Sequence, residues 1–156
     1  MQINFASFRQ LDVDTLYALI KMRVDVFVVE QACAYPELDG LDLGPGTWHV
    51  LGYDNDKLIA YARILNLHQD GYLPHANITE PIRIGRVLVE KRFRSRGYAT
   101  SLLQSAIDYI RSKQPERSIE LAAQVEVCKL YEALGFHSIS DHYLEDGILH
   151  VDMRLR

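Results

Sequence analysis

The chain is short of cysteine, of excess positive charge and of long apolar runs. Only two cysteines occur in 156 residues, Cys33 and Cys128, far apart and each without a second thiol nearby. That is neither a disulfide framework nor a zinc-ligand spacing, and two isolated thiols suit a reducing compartment. The histidines are scattered too: His68 and His75 stand seven apart in one segment, His137 and His142 five apart in another. Neither spacing is that of a metal site, and no metal is expected. Lys and Arg number 17 against 21 Asp and Glu, a net charge of −4. Without a basic excess the chain lacks the electrostatic footprint of a nucleic-acid binder. The longest unbroken apolar run, residues 58–62, has five members, whereas a membrane-spanning helix needs about 20. The start, Met1-Gln2-Ile3-Asn4-Phe5, has neither the basic nor the apolar region of a signal peptide. These absences point to a soluble cytoplasmic protein with no nucleic-acid and no membrane partner.

What is present is an ordinary globular composition, 48% hydrophobic and 24% charged, in a length that suits one domain over residues 1–156. Ile3 and Phe5 alternate with polar neighbours and predict a short first strand. Asp12 or Asp14 is a candidate N-cap, followed by Leu16, Leu19, Ile20, Val24 and Phe27 at helical spacing. Residues 30–46 carry Pro36, Gly40, Gly44, Pro45 and Gly46 beside the acids Glu37, Asp39 and Asp42. So long a loop is often functional. Strands are predicted at 47–53 and 57–67, joined by the turn Asp54-Asn55-Asp56. A second loop, 68–81, precedes a strand over 82–89 whose apolar residues change parity, from Ile82 and Ile84 to Val87 and Val89. Alternation cannot change phase without an extra residue, so a β-bulge is predicted at Gly85-Arg86. A second helix bears Ala99, Leu102, Leu103, Ala106 and Ile110 and ends near Pro115. A strand at 118–123, a short helix at 127–134 stopped by Gly135, and two strands at 136–143 and 148–155 complete the chain. The fold class is α/β of the α+β type: one mixed, mostly antiparallel twisted sheet, bulged in a central strand, with helices on both faces. The unit from Ile82 to Ala123 is expected to be a right-handed parallel crossover.

The chemistry concentrates between residues 87 and 100. A buried strand runs into a loop with four cations in six residues (Lys91, Arg92, Arg94 and Arg96), and Gly97 opens a helix. Free N–H groups at a helix start, with the helix dipole, form an anion site. Glycine lets a phosphate approach the backbone, and Arg94 and Arg96 can add donors. A merely solvated basic loop is the competing reading. No Gly-Lys-Ser/Thr is present, which excludes a nucleoside-triphosphate P-loop; a single glycine excludes the dinucleotide fingerprint.

Arg94-x-x-Gly97-x-Ala99 after Val87-Leu88-Val89 resembles the acetyl-CoA pyrophosphate loop of the GNAT acetyltransferase superfamily. Some 30 residues on, Leu130-Tyr131-Glu132-Ala133-Leu134-Gly135-Phe136 resembles that family's Leu-Tyr-x-x-x-Gly-Phe signature. The stretch from Arg23 to Gln31, Tyr35-Pro36-Glu37-Leu38-Asp39-Gly40 and Tyr143-Leu144-Glu145-Asp146-Gly147-Ile148 resemble the ElaA-like branch. The resemblance implies an N-acetyltransferase that moves acetyl from acetyl-CoA to a primary amine by direct attack in a ternary complex. It also implies roles. The backbone of Val87, Leu88 and Val89 would pair with the pantetheine amides. The N–H groups of Arg94, Ser95, Arg96, Gly97, Tyr98 and Ala99 would hold the pyrophosphate, with Thr100 close by. Tyr131 would protonate the leaving thiolate, although beside Gly135 it also reads as a core residue. Gln124 stands where many relatives carry asparagine, which puts that cofactor contact in doubt.

On the acceptor side, an amine of pKa about 10.4 is only about one part in a thousand neutral at pH 7, so a base or an ordered water must take its proton. Residues 81–89 hold no carboxylate, in contrast to some relatives. Glu30, Glu37, Asp39 and His49 are the candidates, each also readable as a cap, a solvated acid or a packed histidine. Arg83 or Arg86 would bind a carboxylate on the acceptor, unless they sit in salt bridges or face solvent. The acceptor is left open between small molecules and peptides, and a homodimer through a sheet edge is open too. The alternative from another class is an acyl-CoA-binding sensor without turnover, against which Tyr131 argues, because a sensor needs no proton donor.

Overall fold

Period-two alternation places successive side chains on opposite faces of a strand, and here it builds a two-sided sheet. The computed structural model describes residues 1–67 and 80–156; most of the loop expected at 68–81, with His68 and His75, lies outside them. The strands are β1 (Gln2–Ala6), β2 (Trp48–Asp54), β3 (Lys57–Leu65), β4 (Ile82–Val89), β5 (Ile119–Gln124), β6 (His137–Ser138), β7 (Tyr143–Glu145) and β8 (Ile148–Leu155). They form one sheet in the order β1-β2-β3-β4-β5-β8-β6, with β7 also on β8. Among the described residues only β4 and β5 pair in parallel, through α2 (Tyr98–Lys113). Asn55 and Asp56 both take positive φ at the β2–β3 turn, as the tight hairpin requires.

Val50, Ile59, Ile64, Ile82 and Ile84 meet Leu102, Leu103, Ala106, Ile107 and Ile110 of α2 on one face. Leu51, Tyr61 and Leu88 meet Leu19, Met22 and Val26 on the other. The N-terminal helix α1 (Val13–Arg23) is capped by Asp12, which accepts from the Thr15 N–H at 2.8 Å. It continues as a π-helical turn, Val24–Glu30, with Gln31 N–H bonding Val26 O and Cys33 N–H bonding Val28 O. The sequence suggested one uninterrupted helix; the wider turn is new, and such turns gather at functional sites.

The predicted bulge is present. Arg63 opposes Gly85 and Tyr61 opposes Leu88, so three steps on β4 face two on β3. Arg86 carries the extra residue in the left-handed region, φ +53°. Beyond Ile82 and Arg83, β4 and β5 are no longer paired, so among the described residues β4 has no strand partner on that side from Ile84 on, although Val89 O already accepts from Arg94 Nε. One element differs from expectation. The strand foreseen at 136–143 is two short ones, because Ser140 Oγ accepts the Asp152 N–H at 2.9 Å and replaces a ladder bond.

Candidate active site

Two cavities open where β4 and β5 part. One, of about 330 Å³, lies between the end of β4, the start of α2 and α3 (Cys128–Glu132). Val87, Val89, Arg94, Ser95, Gly97, Tyr98, Ala99 and Thr100 line it, with Leu130 and Tyr131 opposite. The other, of about 530 Å³, lies over β4, β5 and β8 beneath the post-helical loop. Val87, Val127 and Tyr131 line both.

The smaller cavity suits a pyrophosphate. Ser95 (φ +60°) and Gly97 (φ +77°) are left-handed, so the backbone turns through a nest before α2. The first intrahelical bond runs from Ser101 N–H to Gly97 O, 3.0 Å, and no side chain caps the helix. The N–H groups ahead of it therefore have no helical acceptor. A Cβ on Gly97 would meet nothing within 4 Å: the space in front of the loop is open. Arg94 contributes differently from expectation. Its Nε donates to Val89 O at 2.9 Å and its two Nη atoms clasp the Glu30 carboxylate at 2.5 and 3.1 Å. The side chain is a strut between the loop and the π-helical turn. Arg96 lies over the Phe93 ring, 5.5 Å away, and does not line the groove. The Leu88 side chain packs against α1 on the opposite face, so only its backbone is available to a ligand.

Tyr131 is 7% exposed. Burial pushes its phenol up to about 12, helped by the nearby Cys128 thiol, so it holds its proton at neutral pH. Its ring meets Phe136 edge-on at 6.0 Å. Among the described residues no hydrogen-bond partner engages its hydroxyl.

The larger cavity rests on the polar face of the sheet. Leu121, Ala123, Val151 and Met153 point into the core, which turns Glu120, Ala122 and Gln124 of β5 toward the cavity beside Asp152 and His150 of β8. Gln124 sits here rather than in the smaller groove, its amide donating to Gln31 Oε1 at 3.2 Å. The wall is ionic. Arg23, fully buried at the end of α1, donates from Nε to Glu37 (2.5 Å) and from Nη1 to Asp42 (2.7 Å). Arg63 clasps Asp39 at 2.6 and 2.8 Å and reaches Asp42 at 2.9 Å. Arg86, on the bulge, bonds Glu37 at 2.8 Å and lies over the Tyr35 ring; the Tyr35 hydroxyl donates to Glu37 as well.

This network decides the fate of the four base candidates. Burial raises the Asp39 carboxyl, but the bond from Arg63, the Leu41 N–H and the two guanidinium charges outweigh it and hold it at about 2. Glu37 is shared by Arg23, Arg86 and Tyr35. The bond from Arg94 holds Glu30 below the usual carboxylate range. His49 is 0% exposed, wedged between the Tyr61 hydroxyl (2.8 Å) and Asp42 O (3.3 Å), and burial lowers its pKa. None is a free base in the cavity. Arg86 is a salt-bridge residue; Arg83 is exposed and lines the cavity.

The family model for the acetyltransferase (GNAT) domain matches residues 42–156. The chain belongs to the GNAT acetyltransferase family. It is an acyltransferase, from a family whose acyl donor is acetyl-CoA. Protein ElaA of Escherichia coli (strain K12) is 38% identical over 144 residues, 92% of this chain and 89% of that protein. The crystal structure of E. coli ElaA superposes with a TM-score of 0.88 at 34% identity, covering 99% of both chains. An acyl-CoA N-acyltransferase from Pseudomonas aeruginosa gives 0.85 at 33% identity, covering 98% of this chain and 97% of that one. The GNAT fold and the ElaA-like resemblance read from the sequence are thereby established. Among the described residues no helix is long and apolar enough to cross a membrane, and no cluster of His, Cys, Asp and Glu has the makings of a metal site.

Proposed function

We propose that the chain transfers the acetyl group of acetyl-CoA to a primary amine by direct attack within a ternary complex. The observation that carries this reading is the joint between the cavities: Val87, Val127 and Tyr131 line both. A pyrophosphate on the Ser95–Gly97 nest sends the pantetheine arm along the edge of β4 that β5 leaves unpaired. The thioester then lies at the joint, within reach of an amine in the larger cavity. The amine nitrogen bonds to the thioester carbonyl carbon, the C–S bond breaks, the departing thiolate takes the Tyr131 hydroxyl proton, and the proton that the nitrogen sheds on becoming an amide returns through solvent to the Tyr131 phenolate. A phenol at about 12 is a weak donor to a thiolate in water. The dry surroundings that raise the phenol raise the thiolate too, so the proton moves between more nearly matched partners.

Tyr131→Phe keeps the ring and removes the proton. It should lower kcat by about 10²-fold, the low end for a positioned acid, and leave the Kd for acetyl-CoA unchanged by calorimetry. Unchanged kcat would strip Tyr131 of the role. Acetyl-CoA binding without acetylation of any amine in a broad panel would instead favour the sensor.

A further inference from the structure

With the four sequence-derived bases committed elsewhere, the geometry points to His150 as the group that takes the proton from the acceptor ammonium. This rests on the amine-acetylation reading above. His150 lines the larger cavity with Tyr131 and is 9% exposed. Its Nδ1 lies 2.9 Å from Ile148 O. A carbonyl can only accept, so Nδ1 carries the hydrogen, and in the neutral ring Nε2 is the atom left with the lone pair. The ring is held flat against Tyr143, 6.1 Å between centroids and 25° between planes, while the Tyr143 hydroxyl donates to Asp152 at 2.7 Å. The tautomer and the orientation are therefore both fixed before any substrate arrives.

The neighbouring acids suit the product of the step. Glu145 Oε2 stands 4.0 Å from Nε2 and faces the imidazolium that forms. Among the described residues four other carboxylates line the cavity, and all but Asp146, on the turn after β7, are already paired. Asp39 is paired with Arg63, Glu120 with Arg154 at 2.6 and 2.8 Å, and Asp152 with Tyr143. Nε2 removes one proton from the ammonium, and the freed lone pair attacks the thioester carbon. The imidazolium then releases its proton to solvent, and the second proton, lost from the nitrogen as the amide forms, returns through solvent to the Tyr131 phenolate, so that amide, thiol, both neutral side chains and one solvent proton remain.

The test has two arms on the full chain. In the first, ¹⁵N NMR at neutral pH, assigned with His150→Gln, should show the His150 ring with Nδ1 protonated and Nε2 bare; the opposite tautomer overturns the proposal and needs no acceptor to do so. In the second, wild type and His150→Gln are compared on n-butylamine, protonated at pH 7, and on 2,2,2-trifluoroethylamine, which is already neutral there. Loss of a base should cost about 10²-fold or more in kcat on the first amine and under about tenfold on the second. Equal losses on both, or none on either, overturn the assignment. Acetyl-CoA binding by wild type, measured by calorimetry, tests the transferase reading itself, so the two can fail separately. An unchanged Kd in His150→Gln shows that the variant is folded.

Discussion

Gly97 and Gly40 offer a matched pair for testing the pyrophosphate loop. Both have φ +77°, both precede a helical turn without a side-chain cap, and a Cβ on either meets nothing within 4 Å. Alanine at either site should therefore cost backbone strain alone, about 1–2 kcal/mol for an L-residue forced left-handed. For a domain of this size that lowers Tm by about 2–8 °C. The two differ in what lies in front of them, the smaller cavity for Gly97 and the acidic loop for Gly40, and in what they open, the sixteen residues of α2 against a three-residue turn whose Leu41 N–H bonds Asp39. Acetyl-CoA at a hundred times Kd adds about 2.7 kcal/mol, or about 5–11 °C in Tm. Gly40→Ala should keep that increment in full. Gly97→Asp, which sets a carboxylate where the phosphates would rest, should abolish it. The assay is thermal unfolding of each variant with and without ligand. An increment surviving in Gly97→Asp would refute the assignment of the loop. One lost in Gly40→Ala as well would show that the strain, not the site, was being read.

The other predictions concern the ionic wall. Asp39 is held at about 2 against an ordinary 3.8, so its ionised form stabilises the fold above pH 3.8 and loses that effect as the pH falls through about 2. Asp39→Asn should flatten the loss of stability across that window, measured by denaturant midpoints at fixed pH values, and leave its shape above pH 5 unchanged. Arg86 occupies φ +53°, so Arg86→Gly loses the ion pairs but relaxes the backbone, whereas Arg86→Val loses both the pairs and the permitted conformation. Val should be less stable than Gly by about 1–2 kcal/mol in chemical denaturation; equal stabilities would mean the bulge had moved.

The bulge was legible from residues 82–89 alone because a strand's side-chain period is two and a change of parity needs one extra residue. The helix start at Gly97 was legible because cations, a single glycine and a following apolar period fall together within a dozen positions, whereas the left-handed turn at Ser95 was not. Glu37 and Asp39 looked like candidate bases because their partners, Arg23, Arg63 and Arg86, are 14 to 49 positions away and only the fold joins them. His150 went unnoticed for the same reason. On β8 it looks like any outward residue, and nothing short of the Gln124–His150 register marks it as cavity floor. A signal was nevertheless available: Val151 and Met153 fix the core face, which sends His150 and Asp152 to the other. The π-helical turn left no trace, since Leu19, Met22 and Val26 fit an ordinary helix as well.

The cavity joint has a consequence for acyl size. If the thioester lies between Val87, Val127 and Tyr131 as proposed, the acyl chain would have the acceptor's cavity as its room to grow. Donor and acceptor then divide a single space of about 530 Å³. Each carbon added to the acyl group is withdrawn from the amine, so selectivity for one substrate is also selectivity against the bulk of the other.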